Sequence, residues 1–182
     1  WMSDAELLSE ALELQAPLVH ALRQSGLCES RASHPHPNWH AWLDGESQRR
    51  AKLTGFVFLN LQTIFYNTPP LLFSTEIDLL LPCLSTEWEA TTTDAWHSVQ
   101  EPDTSRLSFQ EGLRYLFLDH REDATDLLQT SPFALFVLLQ AVIQKTVLAR
   151  QMQPTSGHDL RTCDLDMLEC VYKAAYDTPE LD

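Results

Sequence analysis

Four side chains in the first quarter of the chain, His34, His36, His40 and Asp44, form its densest collection of metal-ligand types. Zinc needs several such groups converging in a tetrahedron at about 2 Å. Pro35 and Pro37 lock the first two histidines into a loop, and only His40 and Asp44 have the four-residue spacing that shares a helix face. The set reads as a turn followed by a solvated helix, so no metal and no other cofactor is expected. Cys28, Cys83, Cys163 and Cys170 are scattered, without the close pairs that place two thiolates on one ion. Reduced thiols in an intracellular chain fit that spacing.

Asp119, His120, Arg121, Glu122 and Asp123 have the types for acid-base chemistry, yet they follow Leu113, Leu116 and Phe117 and read as the charged end of a helix. Serine nucleophile elbows, glycine-rich phosphate loops and H-E-x-x-H pairs are absent. The chain is therefore read as no enzyme. Among the aromatic residues, Trp39, Trp42, Trp88 and Trp96 with Phe56, Phe58, Phe65 and Tyr66 suit a core, with a ligand pocket as the competing reading. Arg49 and Arg50 lie three and four residues after Glu46, the spacing of helical ion pairs. At least one guanidinium should then reach the carbonyls or carboxylates of the 69–89 stretch, where Glu76, Asp78, Glu87 and Glu89 concentrate. Such an anchor is architectural.

Helices must position these groups. Ser3 to Glu6 has capping-box form, and apolar residues from Leu7 to Leu22 recur at three- and four-residue steps, predicting a helix over about 4–25 that Gly26 stops. Pro17 should kink it or split it in two. A loop is expected over 31–38, then a long amphipathic helix from Trp39 to Asn67, ended by Pro69-Pro70. Between Thr68 and Trp96 the pattern is irregular. A short helical turn is expected at 75–79, with a strand at 77–81 as the competing reading, a short helix near Glu87 and a Thr91–Asp94 cap before Trp96. Trp88 is expected to be buried against the helix that carries Phe56 and Phe65, clasping the segment down.

A second capping box, Ser108 to Glu111, leads into Leu113 and Leu116, and Ser131-Pro132 opens a helix running to Arg150 that is apolar almost all round and so belongs in the centre. Its nearly apolar run, 133–143, is too short to cross a bilayer. A loop over 154–159 and a terminal helix over 164–176 complete the reading. The expected fold is all-α: a multi-helix orthogonal bundle, residues 1–182 as one domain, with an irregular proline-bounded segment packed over it. Composition agrees, since 44% of the 182 residues are hydrophobic and only 5 glycines are present to serve the turns of an all-β fold. With 12 Lys+Arg against 26 Asp+Glu, the net charge of -14 opposes a nucleic-acid backbone.

Trp39-His40-Ala41-Trp42, Glu46-Ser47-Gln48-Arg49-Arg50, Asn67-Thr68-Pro69-Pro70-Leu71-Leu72, Leu81-Pro82-Cys83 and Trp88-Glu89-Ala90, in this order, resemble the fungal-specific transcription factor domain, or middle homology region. The resemblance is strongest over 39–96 and is nearest to the versions carried by Cys2His2 zinc-finger factors. It implies a regulatory domain that modulates transcriptional activation in the nucleus without contacting DNA itself, the zinc finger lying elsewhere in a longer protein. Trp1 and the missing upstream part of the family's helical region likewise read as a piece of a larger regulatory region. Implied partners are transcriptional co-regulators, other parts of the same factor or a second copy in a homodimer, with no membrane. Trp39, Trp42, Arg49, Arg50, Phe65, Trp88 and Trp96 are the expected structural, ligand or partner contacts. The alternative is a small-molecule-binding protein or enzyme that reuses the helical scaffold, with a cavity around Trp42, Phe65 and Trp88.

Overall fold

The computed structural model describes residues 4–29, 38–100, 106–117 and 130–152. The Ser3 cap, His34, His36, the acidic run 119–123, the 154–159 loop and the 164–176 helix expected from sequence lie outside them. Every regular element among the described residues is helical, in agreement with the all-α reading.

Pro17 splits the first helix in two. It has no N–H to offer Glu13 and its ring crowds that carbonyl, so α1 (Asp4–Glu13) gives way to α2 (Gln15–Gln24) at Leu14. Leu14 still donates to the Glu10 carbonyl and accepts from Leu18, each at 3.1 Å, which keeps the chain moving in a helical sense through the break. Gly26 ends α2 at a φ of 78°, in the left-handed region open to glycine. Helix α3 (Trp39–Tyr66) opens where the Asn38 side chain accepts from the Ala41 N–H at 2.9 Å. It stops at Asn67, itself left-handed with φ 51°, before the two prolines.

Ser108 and Glu111 exchange backbone-to-side-chain bonds of 2.8 and 3.3 Å, the capping box read from sequence, at the head of α6 (Phe109–Phe117). Helix α7 (Pro132–Met152) begins with the Ser131 hydroxyl accepting from the Ala134 N–H at 3.2 Å. Its Ala134, Val137, Leu138, Ala141 and Val142 are buried among Leu53 and Phe56 of α3 and Phe109 and Leu113 of α6. Phe56 and Phe109 meet edge to face, centroids 5.8 Å apart. The helix outruns the apolar stretch seen in the sequence: over Pro132–Gln151 its mean hydropathy of 1.7 and its length would suit a bilayer. Its buried polar groups show that it is instead a core helix. Asn60 donates to the Gln140 backbone and side-chain oxygens at 2.8 and 3.0 Å, while Gln144 donates to Asn60 and the Leu72 carbonyl at 3.2 and 2.9 Å and accepts from the Ser74 N–H at 2.7 Å.

The irregular segment is embedded in the body of the protein. A 3-10 turn forms at Ser74–Glu76, one residue earlier than expected, and 77–81 carries two isolated bridges in place of the strand of the competing reading. Asp78 exchanges backbone bonds with Leu27 and Glu29 on one side, at 2.8 and 2.9 Å. Leu79 and Leu81 bond to Phe109 and Leu107 on the other, each at 2.8 Å. These are isolated bridges, and no sheet forms among the described residues. Short helices α4 (Ser85–Trp88) and α5 (Thr93–Val99) follow, the second capped by the Thr92 hydroxyl.

Removing a buried hydrogen-bonding group strands its partners, at about 1–3 kcal/mol for each unsatisfied group. Gln144→Leu should therefore lower the urea-derived stability by at least that much, whereas Gln48→Leu, on the exposed face of α3, should stay within about 0.5 kcal/mol of the parent.

Candidate functional site

One turn of α3 carries Glu46, Arg49 and Arg50, and helix spacing alone brings both guanidinium groups to the carboxylate. Glu46 is only 1% exposed. It accepts from Arg49, from Arg50 Nε at 2.9 Å and from the Cys83 backbone N–H at 2.9 Å, with Arg106 at 3.7 Å. Burial pushes against its charge, but the neighbouring Arg49, the Cys83 N–H, Arg50 and Arg106 together hold its pKa below the usual glutamate value. Arg49 Nε turns the other way, to Glu29 at 2.9 Å, and Glu29 also accepts the Leu80 N–H at 2.9 Å. For Arg49 burial again opposes the charge, and Glu29 and Glu46 outweigh it, raising its pKa. Arg106 completes the set by donating to Glu87 at 2.6 Å; both are buried, Glu87 with 0% exposure. Three carboxylates and three guanidinium groups thus balance inside the protein.

An aromatic shell covers one side. Trp42 and Trp96 pack at 5.4 Å with Cys83 between α3 and α5, and Trp39, Leu43 and Ala90 lie half-buried around them. The indole N–H groups of Trp39, Trp42 and Trp96 meet no acceptor among the described residues, so the rings themselves are held by packing. Arg50 reaches the Cys83 carbonyl at 3.2 Å, the contact expected of an arginine anchoring the proline-bounded segment. Trp88 lies over its guanidinium, 4.2 Å from carbon to ring centre.

Two expectations need correction. Trp88 is 36% exposed and rests on Arg50; it is not buried against Phe56 and Phe65. The single turn of α4 can point one long side chain inward, and the Arg106 ion pair selects Glu87, leaving Trp88 at the rim. Phe65 is 83% exposed near the far end of α3, edge to face with Tyr66. It lies 23 residues beyond Trp42 on one continuous helix, about 34 Å away at 1.5 Å per residue. Trp42, Phe65 and Trp88 therefore line no common cavity. The carboxylates of the 69–89 stretch take other arginines, Glu76 pairing with Arg23 at 2.8 Å and Glu87 with Arg106, while Arg49 goes to Glu29. Glu29 and Arg106 had no local signal, since each lies outside the helix it serves.

The chemistry of this arrangement is pinning. Its carboxylates are engaged by cations and backbone donors. The Cys83 thiol is pushed up to about 12 by burial and by the Glu46 charge, so it is protonated at neutral pH and a poor nucleophile. His40 and Asp44 are exposed on α3, and no group of three metal-ligating side chains is assembled among the described residues. A shallow depression lined by Ala16, Val19, His20, Arg23 and Leu71 lies away from the ion network, on α2.

Comparison with known proteins places this geometry in a sequence family. The model of the fungal specific transcription factor domain matches residues 18–151, taking in the helices on both sides of the 39–96 stretch. Zinc finger protein zas1 of Schizosaccharomyces pombe is 23% identical over 161 residues, which cover 88% of this chain and 18% of that relative. The chain thus spans less than a fifth of the relative's length. No solved structure matches.

Removing one partner from a buried ion pair typically costs about 3–5 kcal/mol, and Glu46→Gln should lose stability in that range at neutral pH. Because the folded pKa of Glu46 is depressed, its contribution is complete above the unfolded glutamate value and drains away as pH falls through the folded one. Urea titrations at descending pH should show parent and Glu46→Gln converging in acid; a constant gap would mean that the charge is irrelevant. Among the tryptophans, Trp96→Ala should cost about 3–5 kcal/mol as a cavity in the core. Trp88→Ala should cost only about 1–2 kcal/mol, the scale of a rim cation–π contact with partial burial.

Proposed function

Because the chain belongs to the fungal specific transcription factor domain family, we propose that it is a regulatory and interaction module that modulates a transcription factor's activity without touching DNA itself. The observation that carries this reading is that four of the arginines are engaged by carboxylates of the protein itself. Binding a duplex requires guanidinium and ammonium groups that release counterions from phosphates. Here Arg49, Arg50 and Arg106 each bind a carboxylate inside the protein, Arg23 is bonded to Glu76, and the chain as a whole carries -14. What faces outward is predominantly acidic, which repels DNA and suits protein contacts.

On this reading DNA contact belongs to a zinc finger elsewhere in the factor, the site of action is the nucleus, and the partners are co-regulators or other parts of the same polypeptide. The module performs no catalysis: the buried ion network holds structure, and of the aromatic residues named for a pocket Trp42 is buried, Trp88 lies at the rim on Arg50 and Phe65 is exposed near the far end of α3.

The test has two arms. In a gel-shift titration the 182-residue chain should show no binding to duplex DNA, and tight binding that weakens steeply with salt would refute the proposal. In the full-length factor, Arg49→Met should change reporter output while leaving the affinity of the separate DNA-binding module unaltered, because the substitution loosens only the regulatory body.

A further inference from the structure

Helices α3 and α7 run side by side in the same direction. Near their beginnings the Arg50 guanidinium lies 5.5 Å from the ring centre of Phe133, and further along both helices Asn60 is bonded to Gln140 and Gln144. Parallel helices wind in the same sense, so positions can be followed round both of them from this contact. On α3 the turn away from α7 brings out Phe58, Leu61 and Phe65, the first two 44% and 46% exposed. On α7 Phe136, 42% exposed, and the half-buried Ile143 and Val147 come to the same side of the pair. The two stripes make one apolar shelf. No Asp, Glu, Lys, Arg or His occurs from Leu53 to Thr75 or from Pro132 to Gln144, whereas surface helices normally turn charge outward.

Where the chain runs next selects what covers the shelf. Gln144 is level with Asn60, so Arg150 is level with Tyr66, and the chain leaves α7 at Met152 beside the far end of α3. Residues 153–182 follow. Pro154 and Gly157 equip the first of them to turn back, and the periodicity over 164–176 reads as a helix with Leu165, Leu168 and Tyr172 on one side and Asp166, Cys170 and Lys173 on the other. Such a helix is about 20 Å long, as is the charge-free 53–66 part of α3. We propose that 164–176 is the occupant of the shelf, lying antiparallel to α3 and α7 with Leu165, Leu168 and Tyr172 against them. Charge selects the same place. Residues 153–182 carry seven acidic side chains against Arg161 and Lys173, and the rest of the chain is itself acidic. The shelf offers no like charge, and the exposed Arg150 ends its α7 stripe where the returning segment must pass. The inference goes beyond the regulatory reading above and stands independently of it.

Hydrogen exchange of the 182-residue chain, read by mass spectrometry, tests the proposal. An isolated helix of this length is marginal in water, so slow exchange in it reports docking. In the parent the amides of 164–176 should exchange about tenfold or more slowly than in an unstructured peptide, and equally so at about 1 μM and about 50 μM protein. Leu61→Glu and Leu168→Glu, one on each side of the contact, should each abolish that protection while the amides around Asn60 in α3 keep theirs. Cys170→Glu, on the opposite side of the same helix, should leave it in place. Unprotected amides at 164–176 in the parent, or protection that survives Leu61→Glu, would overturn the proposal. So would protection that Cys170→Glu removes as fully as Leu168→Glu, and protection found only at the higher concentration would assign the shelf to a second copy instead.

Discussion

A carboxylate removed from water must be met by enough donors and cations to replace its hydration, or the structure around it fails. Glu46 imposes that constraint on the fold. Its partners come from its own helix, from Cys83 in the proline-bounded segment and from Arg106, and through Arg49 the demand extends to Glu29 after α2. Four stretches far apart in sequence must be in place together for the charges to balance. An apolar cluster of the same volume could be as stable. Unlike such a cluster, the network fixes geometry: the bonds to the Cys83 and Leu80 N–H groups hold the extended segment in one register.

The other end of that segment is held without charge. Asn60, fourteen residues beyond Glu46 on α3, joins Gln140 and Gln144 of α7, and Gln144 takes both the Leu72 carbonyl and the Ser74 N–H. The same long helix therefore grips the segment at its beginning through amides and at its end through an ion network. Acid weakens the second grip and spares the first, because amides do not titrate in that range. Between the two grips the side chains of Ile77, Leu79 and Leu81 contribute to the main core.

Local signals in the sequence located most of the helices. Asn38, the Ser108 to Glu111 box, Ser131-Pro132, Gly26 and Asn67-Thr68-Pro69 act within a few residues of themselves, and each marks the boundary it forms in the structure. The i+3 and i+4 pairing of Glu46 with Arg49 and Arg50 was legible for the same reason. Contacts across long separations were not. Nothing local to Glu29 or Arg106 tells which carboxylate or guanidinium it will meet, and a one-turn helix does not announce whether Glu87 or Trp88 faces inward. The separation of Phe65 from Trp42 was present in the sequence all along, since a continuous helix from Trp39 to Asn67 cannot bring its two ends to one cavity.

The extended 77–81 segment lies between 27–29 and 107–109, and this ordering governs how the molecule comes into being. During synthesis α2 and α3 emerge with their inner faces complete in sequence but unopposed, and Asp78 can then pair with Leu27 and Glu29. Leu79 and Leu81 must wait about thirty more residues for Leu107 and Phe109, and α7, which fills the centre, emerges later still. Such non-local pairing slows folding, because chain ends far apart must be brought together before their contacts stabilise anything. A nascent chain held at this stage would expose Phe56, Val57 and Leu79 together, making this the interval in which a chaperone has the most apolar surface to shield.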